Sequence, residues 1–342
     1  MRLLVTGGAG FIGSNLIRAI IDRPELECLI NLDCLSYAGN LASLRDVEGN
    51  AKHRFQKVDL RDKDALRSVV KNHAITHVIH LAAESHVDRS VAGPDDFIHT
   101  NVVGTFNLLE ACRDEWTQNG ALRDDCRFHH VSTDEVYGSL GASGQFIEES
   151  PFAPNSPYSA SKASSDLLVR SYRQTYGMNT VVTNSSNNYG PFQHPEKLIP
   201  VVIQALANRA PIPVYGDGQN VRDWLHVTDH VDALWLVLNH GSAGETYNIG
   251  TRNERTNLSV VELLCDLFGE LQPDARGDSR ALISFVDDRP GHDRRYAIDA
   301  SKIENELGWK PNADFRSTLR DTVQWYLTNQ DWIFEVVKRS SR

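Results

Sequence analysis

Residues 3–13 read LLVTGGAGFIG. The run 3–6 is short and continuously apolar, which predicts a strand covered on both faces, as in a parallel sheet. Gly7, Gly10 and Gly13 follow directly, and Gly8, Gly10 and Gly13 also satisfy G-x-G-x-x-G. A helix is predicted over 11–21, so its unpaired N-terminal amides open onto the glycine loop. Glycines let the backbone approach a pyrophosphate, and a helix N-terminus favours its negative charge. A second strand, 28–32, ends at Asp33. That is about 20 residues past the last glycine, where a dinucleotide-binding unit carries an acid for the ribose hydroxyls. A carboxylate there repels a 2′-phosphate, so the expected cofactor is NAD and not NADP.

The alternation continues outward from this unit. A third strand, 55–58, carries Asp59 and Leu60 at its carboxyl end, a pair able to address an adenine ring. A helix over 63–72 and a strand over 76–81 follow. Ala82 and Ala83 then leave room for the backbone to lie against a cofactor. One helix is expected over 95–116, bearing Thr100 and Asn101. A strand at 128–131, a helix at 157–176 and a strand at 180–183 complete the pattern. The fold class is α/β, a doubly wound parallel sheet of the dinucleotide-binding kind. Beyond residue 187 the chain becomes rich in proline, glycine and aromatics, as in NNYGPFQHPEKLIP and APIPVYGDGQNVRDW. This half is expected to form a smaller α/β substrate lobe. The expected division is a cofactor domain over 1–186, with 222–250 packing back on it, and a substrate lobe over 187–221 and 251–342. Helices near 260–268, 301–307 and 315–328 fall in the second half. The last residues, KRSSR, read as a frayed tail.

The chemistry concentrates in FHHVSTDEVYG (residues 128–138) and PYSASK (157–162). The strand ending at Val131 opens into Ser132, Thr133, Asp134 and Glu135, at the edge where open parallel sheets bind ligands. Tyr158 and Lys162 are four apart, on one face of a helix. A fixed ammonium favours the phenolate, which would make Tyr158 a general base for an alcohol or sugar hydroxyl. Isolated, the tyrosine and lysine could be a surface pair and the acids a solvated turn. Together in one stretch they read as a site.

Composition bounds the partners. The chain has 342 residues and a formal net charge of −10, which argues against nucleic acid. Its five cysteines, Cys28, Cys34, Cys112, Cys126 and Cys265, form no C-x-x-C, so neither a disulfide framework nor a zinc knuckle is expected, and a reducing cytoplasm fits. A strand begins almost at Met1, and no apolar run is long enough to span a bilayer, so no leader and no membrane association are expected. His77 and His80, and His129 and His130, sit on predicted strands at spacings that turn them apart. No metal site is expected.

TGGAGFIG, LAAESHVDRS, STDEVYG, YSASK, SNNYGP, PEKLIP, GDGQNVRDWLHV and DRPGHDRRYAID occur in one order over nearly the whole chain. In these motifs the chain resembles the extended short-chain dehydrogenases, and within them the dTDP-glucose 4,6-dehydratases. YSASK marks only the superfamily. Asp134-Glu135 is more specific, because the sugar epimerases of the superfamily lack that acid pair. The resemblance implies one bound NAD and three steps on dTDP-glucose. Tyr158 takes the proton of the carbon 4 hydroxyl while hydride passes to NAD. Lys162 holds the nicotinamide ribose and lowers the tyrosine pKa, and Thr133 hydrogen-bonds the oxygen at carbon 4. Glu135 removes the carbon 5 hydrogen, protonated Asp134 expels the carbon 6 hydroxyl as water, and hydride returns to carbon 6.

By the same likeness Phe11, Ile12, Leu81, Ser85, Thr100, Ser132 and Asn188 join Gly7, Gly10, Gly13, Asp33, Asp59, Leu60, Ala82 and Ala83 as cofactor positions. Glu84, Ser85, Asn187, Lys197, Leu198, Arg222, Asn257, Arg289 and His292 match substrate positions, as do Pro213 and Tyr215 for the base. The arginines suit a diphosphate. A homodimer is expected by analogy, through the helices at 95–116 and 157–176. Two departures stand beside these positions: Cys34 and Ser36 where lysine and threonine are expected, and Asn184 where arginine is more usual. Three other activities share parts of this reading. A nucleotide-sugar 4-epimerase would leave Asp134 and Glu135 without work. A 4,6-dehydratase of a UDP- or CDP-sugar would differ in the base pocket alone. A silent NAD-binding scaffold would have no use for the intact set of five.

Overall fold

The computed structural model describes residues 1–273, 277–288 and 291–340. Seven parallel strands form its central sheet: β1 (Arg2–Thr6), β2 (Cys28–Asp33), β3 (His53–Lys57), β4 (His77–His80), β5 (Arg127–Thr133), β6 (Thr180–Ser185) and β7 (Thr246–Ile249). Their spatial order is 3-2-1-4-5-6-7, so the sheet runs outward in two directions from β1 and β4. At that reversal the crossover connections leave on opposite faces and open a crevice at the carboxyl ends. β1 is buried on both faces: Leu4 packs with Ile30, Val78 and Phe128, and Leu3 and Val5 pack with Ile17, Ile79 and Val131. Two cores, one on each side of the sheet, make three layers.

Helices α1 (Phe11–Ile20), α2 (Lys63–Asn72), α3 (Gly104–Trp116), α4 (Pro157–Tyr176) and α5 (Val227–His240) cover the two faces. α1 packs on α5 on one side, and α2 packs on α3 on the other. The second half builds its own core from Tyr189, Ile199, Val260, Leu319 and Trp332. It also contributes a three-stranded sheet, with Val221–His226 between Asn187–Tyr189 and Glu254–Thr256. Among the described residues no helix is long and apolar enough to cross a membrane.

Several elements differ from the sequence expectation. The seventh strand is short, and its TYNI carries too little pattern to be read. The helix expected over 95–116 is three pieces, Asp95–Phe97, a π-helical segment Ile98–Val103, and α3. Within the wide turn, Asn101 hydrogen-bonds both the N–H and the C=O of Glu84, which ties helix to cavity wall. Pro200 stands in the first turn of the helix Leu198–Asn208, where its missing N–H costs nothing, so PEKLIP is a helix start and not a loop. Of the expected frayed tail, residues 338–340 end the helix Gln330–Ser340 and residues 341–342 lie outside the described residues; the helix is docked, with Trp332 Nε1 donating to Ser43 Oγ at 3.0 Å and an Arg339 guanidinium nitrogen to the Leu35 carbonyl at 2.8 Å.

Candidate active site

A cavity of about 490 Å³ lies at the carboxyl ends of the strands, where the sheet order reverses. Its floor is the glycine loop. Gly7 has φ +70°, and a Cβ there would stand 2.8 Å from the backbone of Ala82. A Cβ on Gly13 would meet the Gly7 carbonyl oxygen at 2.2 Å, so only glycine lets α1 start this close to β1. No side chain caps the N-terminus of α1, and Gly10, Phe11, Ile12 and Gly13 line the cavity. Asp33, buried at the end of β2, accepts from Ala9 N at 3.0 Å and Leu35 N at 2.7 Å. Burial nevertheless raises its pKa.

Asp59, Leu60, Leu81, Ala82, Ala83, Glu84, Ser85, Thr100, Ser132 and Asn188 also line this cavity, as do Thr133, Glu135, Tyr158, Lys162, Asn187 and Lys197. Two buried oxygens on the wall, Ser186 Oγ and Asn187 Oδ1, have no hydrogen-bond partner among the described residues. An uncapped helix start, a cradle that a Cβ would fill, an acid at the second strand and open polar atoms fit a dinucleotide.

The sequence of α4 explains how Tyr158 and Lys162 are held. Ser156 and Ser159 form a reciprocal capping box, Pro157 opens the first turn, and Gly177 closes the helix at φ 73°. Phe97 meets the Tyr158 ring edge-on at 6.4 Å between centroids. Thr133, capping the turn Asp134–Tyr137, opposes the rise of the Tyr158 pKa through its hydroxyl. The structure reverses the expectation for the tyrosine. Burial, and then the charges of Glu135, Asp134 and Asp166, push its pKa well above the ordinary value. The Lys162 ammonium is turned toward the Val131 carbonyl, at 2.8 Å.

Asp134 does not line the cavity; it is 1% exposed, directly behind the wall. Thr133 Oγ1 donates to its Oδ1 at 3.3 Å, and its Oδ2 has no partner among the described residues. Burial first, then the charges of Glu135 and Asp223, hold it well above the usual carboxylate range.

Of the expected substrate positions, Leu198, Pro213, Tyr215, Arg222, Asn257 and His292 do not line this cavity. Leu198 starts its helix just past Lys197. Pro213 and Tyr215 lie on the strand Ile212–Tyr215, Asn257 starts the helix Asn257–Leu271, and His292 faces the Tyr215 ring at 6.5 Å. Arg222 is buried, stacked over Tyr296 at 4.2 Å, with a guanidinium nitrogen donating to the Asp293 carbonyl at 2.8 Å. Its charge reaches Asp134, and Tyr296 feels Glu135, so this cluster continues the site from the acid pair. Arg289 lies outside the described residues.

Sequence reasoning missed other walls of the cavity. Tyr37 stacks under Arg89 at 3.8 Å, and Trp332 and Val336 of the last helix also line the cavity. No motif marked them; they come together only because distant segments fold onto one rim. Asn184, noted as a departure, is buried. It donates to the Thr133 carbonyl at 3.1 Å and to Asp166 Oδ2 at 3.2 Å.

Against this geometry, residues 4–322 match the model of the GDP-mannose 4,6 dehydratase family. A dTDP-glucose 4,6-dehydratase of Neisseria meningitidis serogroup B is 54% identical, the match covering 100% of this chain and 97% of that protein. The chain belongs to the dTDP-glucose 4,6-dehydratase family. The crystal structure of the dTDP-glucose 4,6-dehydratase DesIV of Streptomyces venezuelae, solved with NAD bound, superposes with a TM-score of 0.90. It is 46% identical over 98% of this chain and all of that one. The UDP-glucose 4-epimerase of Thermotoga maritima shares the architecture (TM-score 0.85) at only 28% identity, over 96% of this chain and all of the epimerase. Fold alone therefore does not separate the dehydratases from the epimerases; the family does.

Proposed function

We infer that this chain is a dTDP-glucose 4,6-dehydratase. It forms dTDP-4-keto-6-deoxyglucose and water by oxidation at carbon 4, elimination across carbons 5 and 6, and hydride return to carbon 6. The single observation that carries the reading is Asp134-Glu135 beside Thr133 and Tyr158 in a dinucleotide-shaped cavity, one acid sealed in and the other on the wall. NAD, when bound, supplies the hydride acceptor and later the donor. Around it the glycine loop and α1 face the pyrophosphate, Asp33 the adenosine ribose, and Asp59 with Leu60 the adenine.

Tyr158 takes the carbon 4 hydroxyl proton, and Thr133 shares that oxygen. Because burial and nearby acids raise the phenol, the base works only with positive charge at hand, which is Lys162's part. Once carbon 4 is a ketone, the carbon 5 hydrogen is acidic and Glu135 removes it. Asp134, kept protonated, has a free Oδ2 from which to give its proton to the leaving hydroxyl. An epimerase needs neither acid.

Arg222, with Asn257, His292, Tyr215 and Pro213, serves the diphosphate and base. The cofactor domain spans 1–186 with 222–250, and the substrate lobe spans 187–221 and 251–342. A homodimer is supported by Ile98, Val103, Phe106, Leu167 and Tyr176, large apolar side chains left exposed on the helices expected at the interface. A cytoplasmic setting is supported by five cysteines, all unpaired. Turnover with dTDP-, UDP-, CDP- and GDP-linked glucose, read by keto-sugar absorbance, tests the substrate. Keto sugar formed fastest from dTDP-glucose is expected; equal or faster reaction with another nucleotide would reassign the base.

A further inference from the structure

Directly beneath Lys162 lies a set of polar side chains to which the roles above give no work: His130 on β5, Asp166 on α4 and Asn184 on β6. All three are buried, as is Lys162. Asp166 follows Lys162 by one helical turn, so both project from one face of α4. Its Oδ2 accepts from Ser132 Oγ at 2.8 Å and from Asn184 Nδ2 at 3.2 Å. Its Oδ1 accepts no hydrogen bond and stands 3.2 Å from His130 Nε2. The same imidazole nitrogen lies 3.5 Å from Lys162 Nζ. Ammonium and carboxylate therefore converge on one atom from two sides. In the tautomer that leaves it unprotonated, that nitrogen accepts from the lysine.

The other groups facing this pocket carry no positive charge and no alternative anion. His80 on β4, 5.2 Å from the His130 ring, is tied between Thr6 and Thr105. Burial holds both histidines neutral. Tyr137 donates to Asn248 and stays a phenol, and Tyr158 lies above.

We propose that Asp166 is a positioning residue of the reaction: anchored by Ser132 and Asn184, its carboxylate is the buried counter-charge that keeps Lys162 an ammonium and holds it in place beside His130. The inference rests on Lys162 serving the cofactor ribose and Tyr158. Burial draws Lys162 down to about 8, and Asp166 is the group that opposes the fall. A charge-bearing lysine buried without such a partner would shed its proton. Burial pushes the Asp166 carboxyl up to about 6, which leaves it charged over the range in which the lysine must be.

The test is the pH dependence of kcat/KM of the NAD-loaded enzyme for the wild type and for Asp166→Asn, Asp166→Ser and Asp166→Glu. In the two neutral variants the alkaline limb should move down by about one to three pH units, the size of an opposite-charge effect. Their deficit should shrink as the pH is lowered. Asp166→Glu should restore the limb to within a few tenths. An unmoved limb in the neutral variants, or a deficit of equal size at every pH, would overturn the proposal. So would a glutamate variant that folds where neither neutral variant does, since Asp166 would then serve the fold and not the lysine. Lys162→Met separates the two layers. If it keeps NAD and turns over with the wild-type profile, the reading of Lys162 itself fails. If it is inactive while Asp166→Asn leaves the limb unmoved, only the role of Asp166 fails.

Discussion

Asp134 is sealed behind the cavity wall and Glu135 opens onto it, although the two are adjacent in the chain. The turn Asp134–Tyr137 makes this possible, because its tight winding sends successive side chains to different sides. Burial and the neighbouring Glu135 charge push Asp134 upward, the direction that the acid of an elimination requires. Asp134→Asn keeps the shape and removes the transferable proton. It should still reduce bound NAD with substrate, while water loss slows by about 10²–10⁴-fold, the usual worth of a positioned acid. Rapid-quench analysis of the keto intermediate checks this, and elimination within tenfold of wild type would assign the acid elsewhere. Tyr158→Phe should keep NAD in the purified protein while oxidation at carbon 4 falls by about three orders of magnitude or more. The acids and the Tyr–Lys pair were legible in the sequence because their chemistry is packed into short runs. The reversal of the Tyr158 shift was not, since it depends on which charges face the ring after burial.

At the scale of elements, the alternation of strand and helix was readable because parallel strands are continuous apolar runs and helices carry caps such as Ser156 and Gly177. The substrate-side strands were not readable. Asn187–Tyr189 and Glu254–Thr256 are three residues each, polar and half-buried, and are strands only because Val221–His226 lies between them. The terminal helix Gln330–Ser340 was not read from the sequence, and its end from Lys338 was taken for the start of a frayed tail. Its polar last residues hide a docking edge made by Trp332, Glu335 and Arg339: Trp332 bonds Ser43, Glu335 takes Arg45 at 2.6 Å, and Arg339 reaches the loop after Asp33. With Trp332 and Val336 on the cavity wall and Arg339 on the Leu35 carbonyl, this helix covers the cavity next to the loop after Asp33. Ending the chain at Asn329 should speed NAD loss at least tenfold while the initial rate in saturating NAD changes far less. Dissociation of NAD into an excess of an NAD-scavenging enzyme measures it; an unchanged rate of loss would show that the helix only packs.

The molecule as a whole folds around many buried neutral histidines, and this fixes the sign of its acid response. Burial draws His129 and His230 to about 3, and His77 and His194 to about 4, from an ordinary value of 6.5. Below 6.5 the unfolded chain binds protons that the native state refuses, so stability present above that value is lost as the pH falls toward 4 and 3. Urea midpoints should therefore decline steadily from pH 6.5 to 4, and a flat profile would contradict the buried neutral state. At this scale the close approach of Arg222 and Tyr296 to the acid pair could not be anticipated, because it joins segments far apart in the chain. The central claim is that one cavity oxidises carbon 4, eliminates across carbons 5 and 6, and returns the same hydride to carbon 6. The most direct measurement is the fate of deuterium from dTDP-glucose labelled at carbon 4. Label in the new methyl group, with one solvent-derived hydrogen at carbon 5, is the predicted result; label returned to carbon 4 with inverted configuration and no methyl formed would contradict it.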